Sequence, residues 1–203
     1  MSKRRKFERK LGNRRYKKLF VLAVEGGKTE PEYFSFFNCN QSTIHVECIS
    51  KGNKSAPFYV LKQLENRLRD EGLKSSDEAW VVVDKDKWID EQLNDLYKWS
   101  KSEENYGFAL SNPNFEYWLL LHFEDGNGIS SSKDCEVQLK KYLPDYNKAI
   151  EKGKITCEMI KNAVNRAKAR DNPSCIDWPR NPGCTPAVRP RACSKSGTAP
   201  WPA

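Results

Sequence analysis

Leu19-Phe20-Val21-Leu22-Ala23-Val24-Glu25-Gly26-Gly27 is the stretch on which the fold turns. Six consecutive apolar residues without polar alternation mark a strand buried on both faces. The run stops at an acid and two glycines. Thr29 then reads as a helix N-cap, with Glu32 three residues on completing a capping box. A short aromatic helix is expected from Pro31 to Phe37.

Working outward, the same alternation recurs. Ile44-His45-Val46-Glu47-Cys48-Ile49 reads as a second strand. Pro57 to Arg69 carries Phe58, Leu61, Leu64 and Leu68 at helical spacing. Ala79-Trp80-Val81-Val82-Val83 is a third buried strand, closed by Asp84-Lys85-Asp86. Ile89, Leu93, Leu96 and Tyr97 mark a helix, and Tyr106 to Leu110 a fourth strand. Asn112 reads as the cap of the next helix, with Pro113 at its first position. Phe115, Trp118, Leu119 and His122 form its inner side. His122 and His45 are expected to serve the core or to support a site. Two further helices fall at about Cys135 to Tyr142 and Ile155 to Arg170. Strand and helix alternating in this way predict βαβ units around a parallel sheet. Sites in such sheets lie at the carboxyl ends of the strands. The polar residues there are Glu25, Asp84 and Asp86, with Asn112 behind the fourth strand.

Composition narrows the class. The 203 residues are 38% hydrophobic, 11% aromatic and 31% charged. That is polar for a globular chain but too aromatic for general disorder. No apolar run approaches the roughly 18 residues of a membrane span. The basic N-terminus has no apolar segment behind it, so no secretory signal is expected. The seven cysteines include no CxxC pair, and there are two histidines. Reduced thiols in a cytoplasmic protein are the expectation.

The net charge of +8 is unevenly spread. Residues 1–18 carry ten Lys and Arg against Glu8, and residues 172–203 are also basic, so the body between them is mildly acidic. The N-terminal arm, with Arg4, Arg5, Arg14, Arg15, Lys17 and Lys18, suits phosphate neutralisation. It also suits a solvated tail that aids solubility, and both readings stand.

Three carboxylates at the ends of two buried strands need an explanation. They repel one another, and each loses solvation. A divalent cation removes both costs, and hard oxygen ligands suit Mg²⁺ or Mn²⁺. Asp84 and Asp86 can both turn toward one ion while Lys85 points away. The competing reading is a loop of surface acids beside lysines. Gly26-Gly27-Lys28-Thr29 is not a P-loop, because the glycine that motif needs five residues earlier is Leu22. The turn, with Lys28, is either a phosphate-holding helix start or simply a tight strand-to-helix turn.

A glutamate ending the first strand and a DxD ending a later one resemble a Toprim domain, found in topoisomerases, bacterial primases and OLD-type nucleases. Val24-Glu25-Gly26-Gly27-Lys28-Thr29-Glu30-Pro31-Glu32-Tyr33-Phe34, Val83-Asp84-Lys85-Asp86 and the segment Ser111-Asn112-Pro113-Asn114-Phe115-Glu116-Tyr117-Trp118-Leu119-Leu120-Leu121-His122 resemble the RloB family more closely. The likeness covers about residues 1–174. It implies an α/β, Toprim-like (Rossmann-like) fold, with a mostly parallel sheet of about four strands and helices on both faces. It implies a nuclease-like domain from prokaryotic restriction or abortive-infection loci, often encoded beside an ATPase. Glu25 matches the Toprim glutamate, Asp84 and Asp86 the metal pair, and Glu30, Asn112 and Glu116 further motif positions.

The resemblance divides the chain into a basic arm (1–18), an α/β domain (19–171) and an atypical tail (172–203). After Asn172-Pro173-Ser174 the tail becomes rich in proline and cysteine, with Cys175, Cys184 and Cys193 nine residues apart. It has no apolar periodicity, and disorder or a shifted reading frame is expected there. Three functions remain: a Mg²⁺-dependent nuclease acting on DNA or RNA, a non-catalytic nucleic-acid or regulatory module, and a phosphoryl-transfer enzyme on a small molecule. The arm gives a direct test. If it neutralises phosphates, deleting residues 1–18 weakens nucleic-acid binding about equally for all sequences and flattens its salt dependence. An unchanged slope of log affinity against log salt means the arm is only a solvated tail.

Overall fold

The computed structural model describes residues 17–39, 42–50, 56–85, 88–151 and 153–170. Four strands and six helices follow one another as β1 (Lys18–Val24), α1 (Thr29–Ser35), β2 (Ile44–Ile49), α2 (Pro57–Glu71), β3 (Glu78–Asp84), α3 (Asp90–Trp99), β4 (Tyr106–Ser111), α4 (Phe115–Leu120), α5 (Ser132–Tyr142) and α6 (Cys157–Arg170). The strands form one sheet in the order β2-β1-β3-β4, and every neighbouring pair is parallel. This is the expected Rossmann-like α/β architecture.

Both faces of the sheet are covered, which is why β1 and β3 read as unbroken apolar runs. Phe20, Leu22, Val24, Trp80, Val82 and Ala109 pack toward α1, α4, α5 and α6. Val21, Ala23, Val81, Val83, Phe108 and Leu110 pack toward α2 and α3. Val21, Leu22 and Ala23 are fully buried. A side chain the size of Val21 or Leu22, once buried, contributes about 1.5–3 kcal/mol. Tyr33 of the aromatic helix packs edge-on against Phe34, Phe115, Trp118 and His122, so that helix belongs to the core.

The chain leaves β1 toward β2 on one side, crosses back to β3, and continues outward to β4. The direction reverses between β1 and β3, and the carboxyl ends of those two strands border the crevice where such sheets bind ligands.

Several local expectations are corrected. Thr29 is not the cap of α1: Lys28 holds that position, and the helix ends at Ser35. The hydroxyl of Thr29 donates instead to the Lys148 carbonyl (3.1 Å), and the Glu32 carboxylate accepts from the Ile150 N–H (3.0 Å). Both residues of the apparent capping box are spent on a distant segment. Asn114, not Asn112, caps α4, which begins at Phe115. Phe58 is 66% exposed and Ile89 58%, so the inner stripe of α2 is Val60 and Leu64 and that of α3 is Leu93 and Leu96. His122 is buried, bonding the Tyr33 hydroxyl (3.1 Å) and the Trp118 carbonyl (2.9 Å). His45 is exposed, on the face of β2 opposite the buried Ile44 and Val46.

One glycine is required by packing. Gly107 of β4 lies opposite Trp80 of β3, and a Cβ on it would sit 2.3 Å from the indole. Gly107→Ala therefore overpacks the sheet and lowers stability by about 1–3 kcal/mol, read from the midpoint of urea unfolding. An unchanged midpoint contradicts this packing.

Candidate active site

Glu25 follows directly on β1. Its N–H donates to the Val82 carbonyl (3.1 Å), which extends the β1–β3 ladder by one bond. Its carboxylate accepts from the Asp84 N–H (3.2 Å) and from the Trp88 indole N–H (3.2 Å to each oxygen). Asp84 ends β3, directly opposite Ser111 at the end of β4. Glu25 and Asp84 thus stand at the same edge on adjacent strands, although the sequence led us to expect them on one face as well. Strand alternation sends Asp84 toward the layer of α1 and α4–α6. The same alternation sends Glu25 toward the layer of α2 and α3, so the pair straddles the edge. Lys85 turns away to the Trp88 carbonyl and the Asp90 carboxylate. Asp86 lies outside the described residues.

Two further acids complete the edge. Glu30, in the first turn of α1, is 6% exposed, and Glu116, in the first turn of α4, is 4% exposed. The Gly26 N–H donates to Glu30 (3.0 Å). That N–H of the glycine turn is therefore given to an acid of the chain itself. A Cβ on Gly26 would lie 2.1 Å from a Glu30 oxygen, so only glycine lets the carboxylate come this close. Burial raises the pKa of Glu30. Its backbone hydrogen bonds oppose the rise, and the charges of Glu116 and Glu25 add to it.

Glu116 accepts from the Tyr146 hydroxyl (2.9 Å) and from the Lys148 ammonium. Neither partner was singled out in the sequence. Both come from the irregular stretch between α5 and α6, 30 and 32 residues beyond Glu116, and no motif surrounds them. Lys28 is exposed, and its ammonium reaches the Asn147 carbonyl (3.4 Å). Asn112 lies partly buried just past β4. On either side of the Asn112-Pro113 pair, the Ser111 hydroxyl and the Asn114 side-chain oxygen are buried without a hydrogen-bond partner among the described residues.

The basic residues of the arm that are described lie elsewhere. Lys18 begins β1 and pairs with Glu78 at 2.6 Å, and Lys17 donates to the Cys39 carbonyl (3.0 Å). Both mark the amino edge of the sheet, about 25 Å from Glu25 at some 3.3 Å per strand residue. Arg4, Arg5, Arg14 and Arg15 lie outside the described residues.

The donor chemistry suits a hard cation. The edge offers carboxylates and a buried hydroxyl without a partner among the described residues, with the buried Cys135 thiol near enough to feel Glu116 and Asp84. Among the described residues no three of His, Cys, Asp and Glu form a ready-made cation cage. Of the three acids expected to bind metal, two are described.

An all-parallel sheet with helices on both faces and a strand order that reverses between β1 and β3 defines the class of open α/β proteins, whose ligands bind at the carboxyl ends of the strands. Within that class the chain belongs to the RloB-like family, whose model, described as RloB-like protein, matches residues 20–187. The match spans most of the chain and runs past Asn172-Pro173-Ser174. No curated protein and no solved structure matches it. No described helix is long and apolar enough to cross a membrane.

The environment of Glu30 generates a pH test. A carboxyl whose folded pKa lies above its ordinary value of 4.5 stabilises the fold in acid. That contribution is lost as pH rises through the raised pKa. Glu30→Gln should therefore melt higher than the unaltered protein near pH 7, and the gap should close below pH 4.5. Melting curves between these limits check it, and a gap that widens in acid contradicts the sign.

Proposed function

We propose that this RloB-like protein is a metal-dependent nuclease of the Toprim type. It cleaves phosphodiesters of DNA or RNA in the cytoplasm and acts in defence against phage with an ATPase encoded nearby. The observation that carries this reading is the placement of Glu25 and Asp84 at the carboxyl ends of adjacent strands, where the sheet reverses direction. Glu25 and Asp84 would hold Mg²⁺ or Mn²⁺, with Asp86 as the third ligand. When bound, the ion supplies Lewis-acid polarisation of the scissile phosphate. The chain supplies the rest. Two N–H donors fix the Glu25 carboxylate, so it meets substrate in one orientation as general base or acid. Lys28 stands exposed at the start of α1, where an ammonium can meet a phosphate oxygen. The chemistry asks nothing of histidine, in keeping with His122 in the core and His45 away from the edge.

The test separates the roles of the two acids. Glu25→Gln removes an anionic ligand and the proton acceptor together, and Asp84→Asn removes ligand charge alone. Cleavage of single- and double-stranded DNA and RNA should fall about 10²–10⁴-fold in Glu25→Gln and stay low at saturating Mn²⁺. Asp84→Asn should partly recover as the metal is raised. Unfolding curves of each variant control for stability. Full cleavage by Glu25→Gln at ordinary metal concentration rejects the mechanism.

A further inference from the structure

We propose that the Lys148 ammonium occupies a second cation position at this edge, built by Glu116, Asp84 and the Ser111 hydroxyl, and that a divalent cation competes with Lys148 for it. The position lies on the Asp84 side of the edge, away from the Glu25 carboxylate that the Trp88 indole holds. Only its link to catalysis rests on the nuclease reading.

Glu116 is the fixed wall. Its side chain is 5% exposed, and a carboxylate buried that deeply needs a cation or strong donors beside it. Lys148 provides the cation, yet its own side chain is 56% exposed. The lysine therefore approaches from solvent and can return there, whereas Glu116 cannot follow. Asp84 is close enough to act on the Lys148 charge as well. Ser111 lies opposite Asp84 in the register and is 1% exposed. Its hydroxyl has no partner among the described residues. A primary ammonium and a hydrated divalent ion both seek such a set of oxygens, and the unpartnered hydroxyl is a ligand the lysine leaves unused.

The backbone around Lys148 is held independently of its ammonium. Lys148 has φ of +59°, a left-handed conformation uncommon for a residue with a side chain. Its carbonyl accepts from Thr29, the Asn147 carbonyl from Lys28, and the Ile150 N–H donates to Glu32. These bonds tie the segment to α1 and carry Lys148 over Glu116. They also explain why the residues of the apparent capping box face outward from their own helix. Such conformations concentrate where function requires them.

The experiment is Mn²⁺ binding by isothermal calorimetry and by electron paramagnetic resonance on the full chain, for the unaltered protein, Lys148→Met and Lys148→Arg. Removing the competing charge should tighten Mn²⁺ binding at one site by about tenfold or more, since close charges at a protein edge interact strongly. Lys148→Arg keeps the charge and should stay within about twofold of the unaltered protein on the same grounds. Unchanged or weaker Mn²⁺ binding by a folded Lys148→Met overturns the proposal, as does equal tightening in Lys148→Arg. If Lys148→Met fails to fold, tightening in Lys148→Gln, which keeps a polar stem without charge, supports the proposal and its absence overturns it. The nuclease reading is judged separately, by cleavage in Glu25→Gln, and either can fail alone.

Discussion

Negative charge concentrated at the ends of buried strands is the constraint around which this protein is organised. Glu25, Glu30, Asp84 and Glu116 stand at the carboxyl edge of a sheet whose two central strands, β1 and β3, are apolar between their ends. Carboxylates at partly dehydrated positions repel, and hydrocarbon cannot offset that. The protein manages the repulsion locally. The Asp84 N–H and the Trp88 indole hold Glu25, the Gly26 N–H holds Glu30, and Tyr146 with Lys148 holds Glu116. The donors to Glu25 and Glu116 lie 30 or more positions away, so those acids are held only once the fold is complete, whereas the Gly26–Glu30 bond spans four residues. Keeping so many acids in one place lowers stability, which is understandable if their charge serves a ligand.

The rest of the fold supplies rigidity for that edge. β1 and β3 are covered on both faces, so the strand ends from which Glu25 and Asp84 project cannot shift without disturbing the core. Trp80 lies across Gly107 and fixes the spacing of β3 and β4, hence that of Asp84 and Ser111. The aromatic contacts of Tyr33 seat α1 against α4, which sets Glu30 relative to Glu116. Lys18, the last residue of the basic arm, is anchored to Glu78 at the opposite edge.

Much of this was legible in the sequence, because strands buried on both faces leave a plain signature. The runs at Leu19–Val24 and Ala79–Val83 located the two central strands and the acids at their ends. Readings based on short local patterns fared less well. Thr29 and Glu32 match a capping box in spacing, yet each bonds a residue more than 100 positions away. Asn112 looks like a cap, but the helix waits for Asn114. Phe58 keeps the helical period and still faces solvent, since periodicity gives a face without saying how far the neighbouring layer extends. Tyr146 and Lys148 could not have been found, because their importance comes from a long-range approach to Glu116. The burial of Glu30 and Glu116 was likewise invisible, although their place in family motifs marked them for attention.

The central claim is that the carboxyl edge exists to bind a divalent cation. Its most direct measurement is a crystal grown in Mn²⁺ and examined by anomalous diffraction at the manganese edge. The account predicts a manganese peak at the end of β1 and β3, with oxygen atoms of Glu25 and Asp84 at about 2.0–2.6 Å. Manganese bound only elsewhere on the protein, with Glu25 still held by the Asp84 N–H and the Trp88 indole, would contradict it.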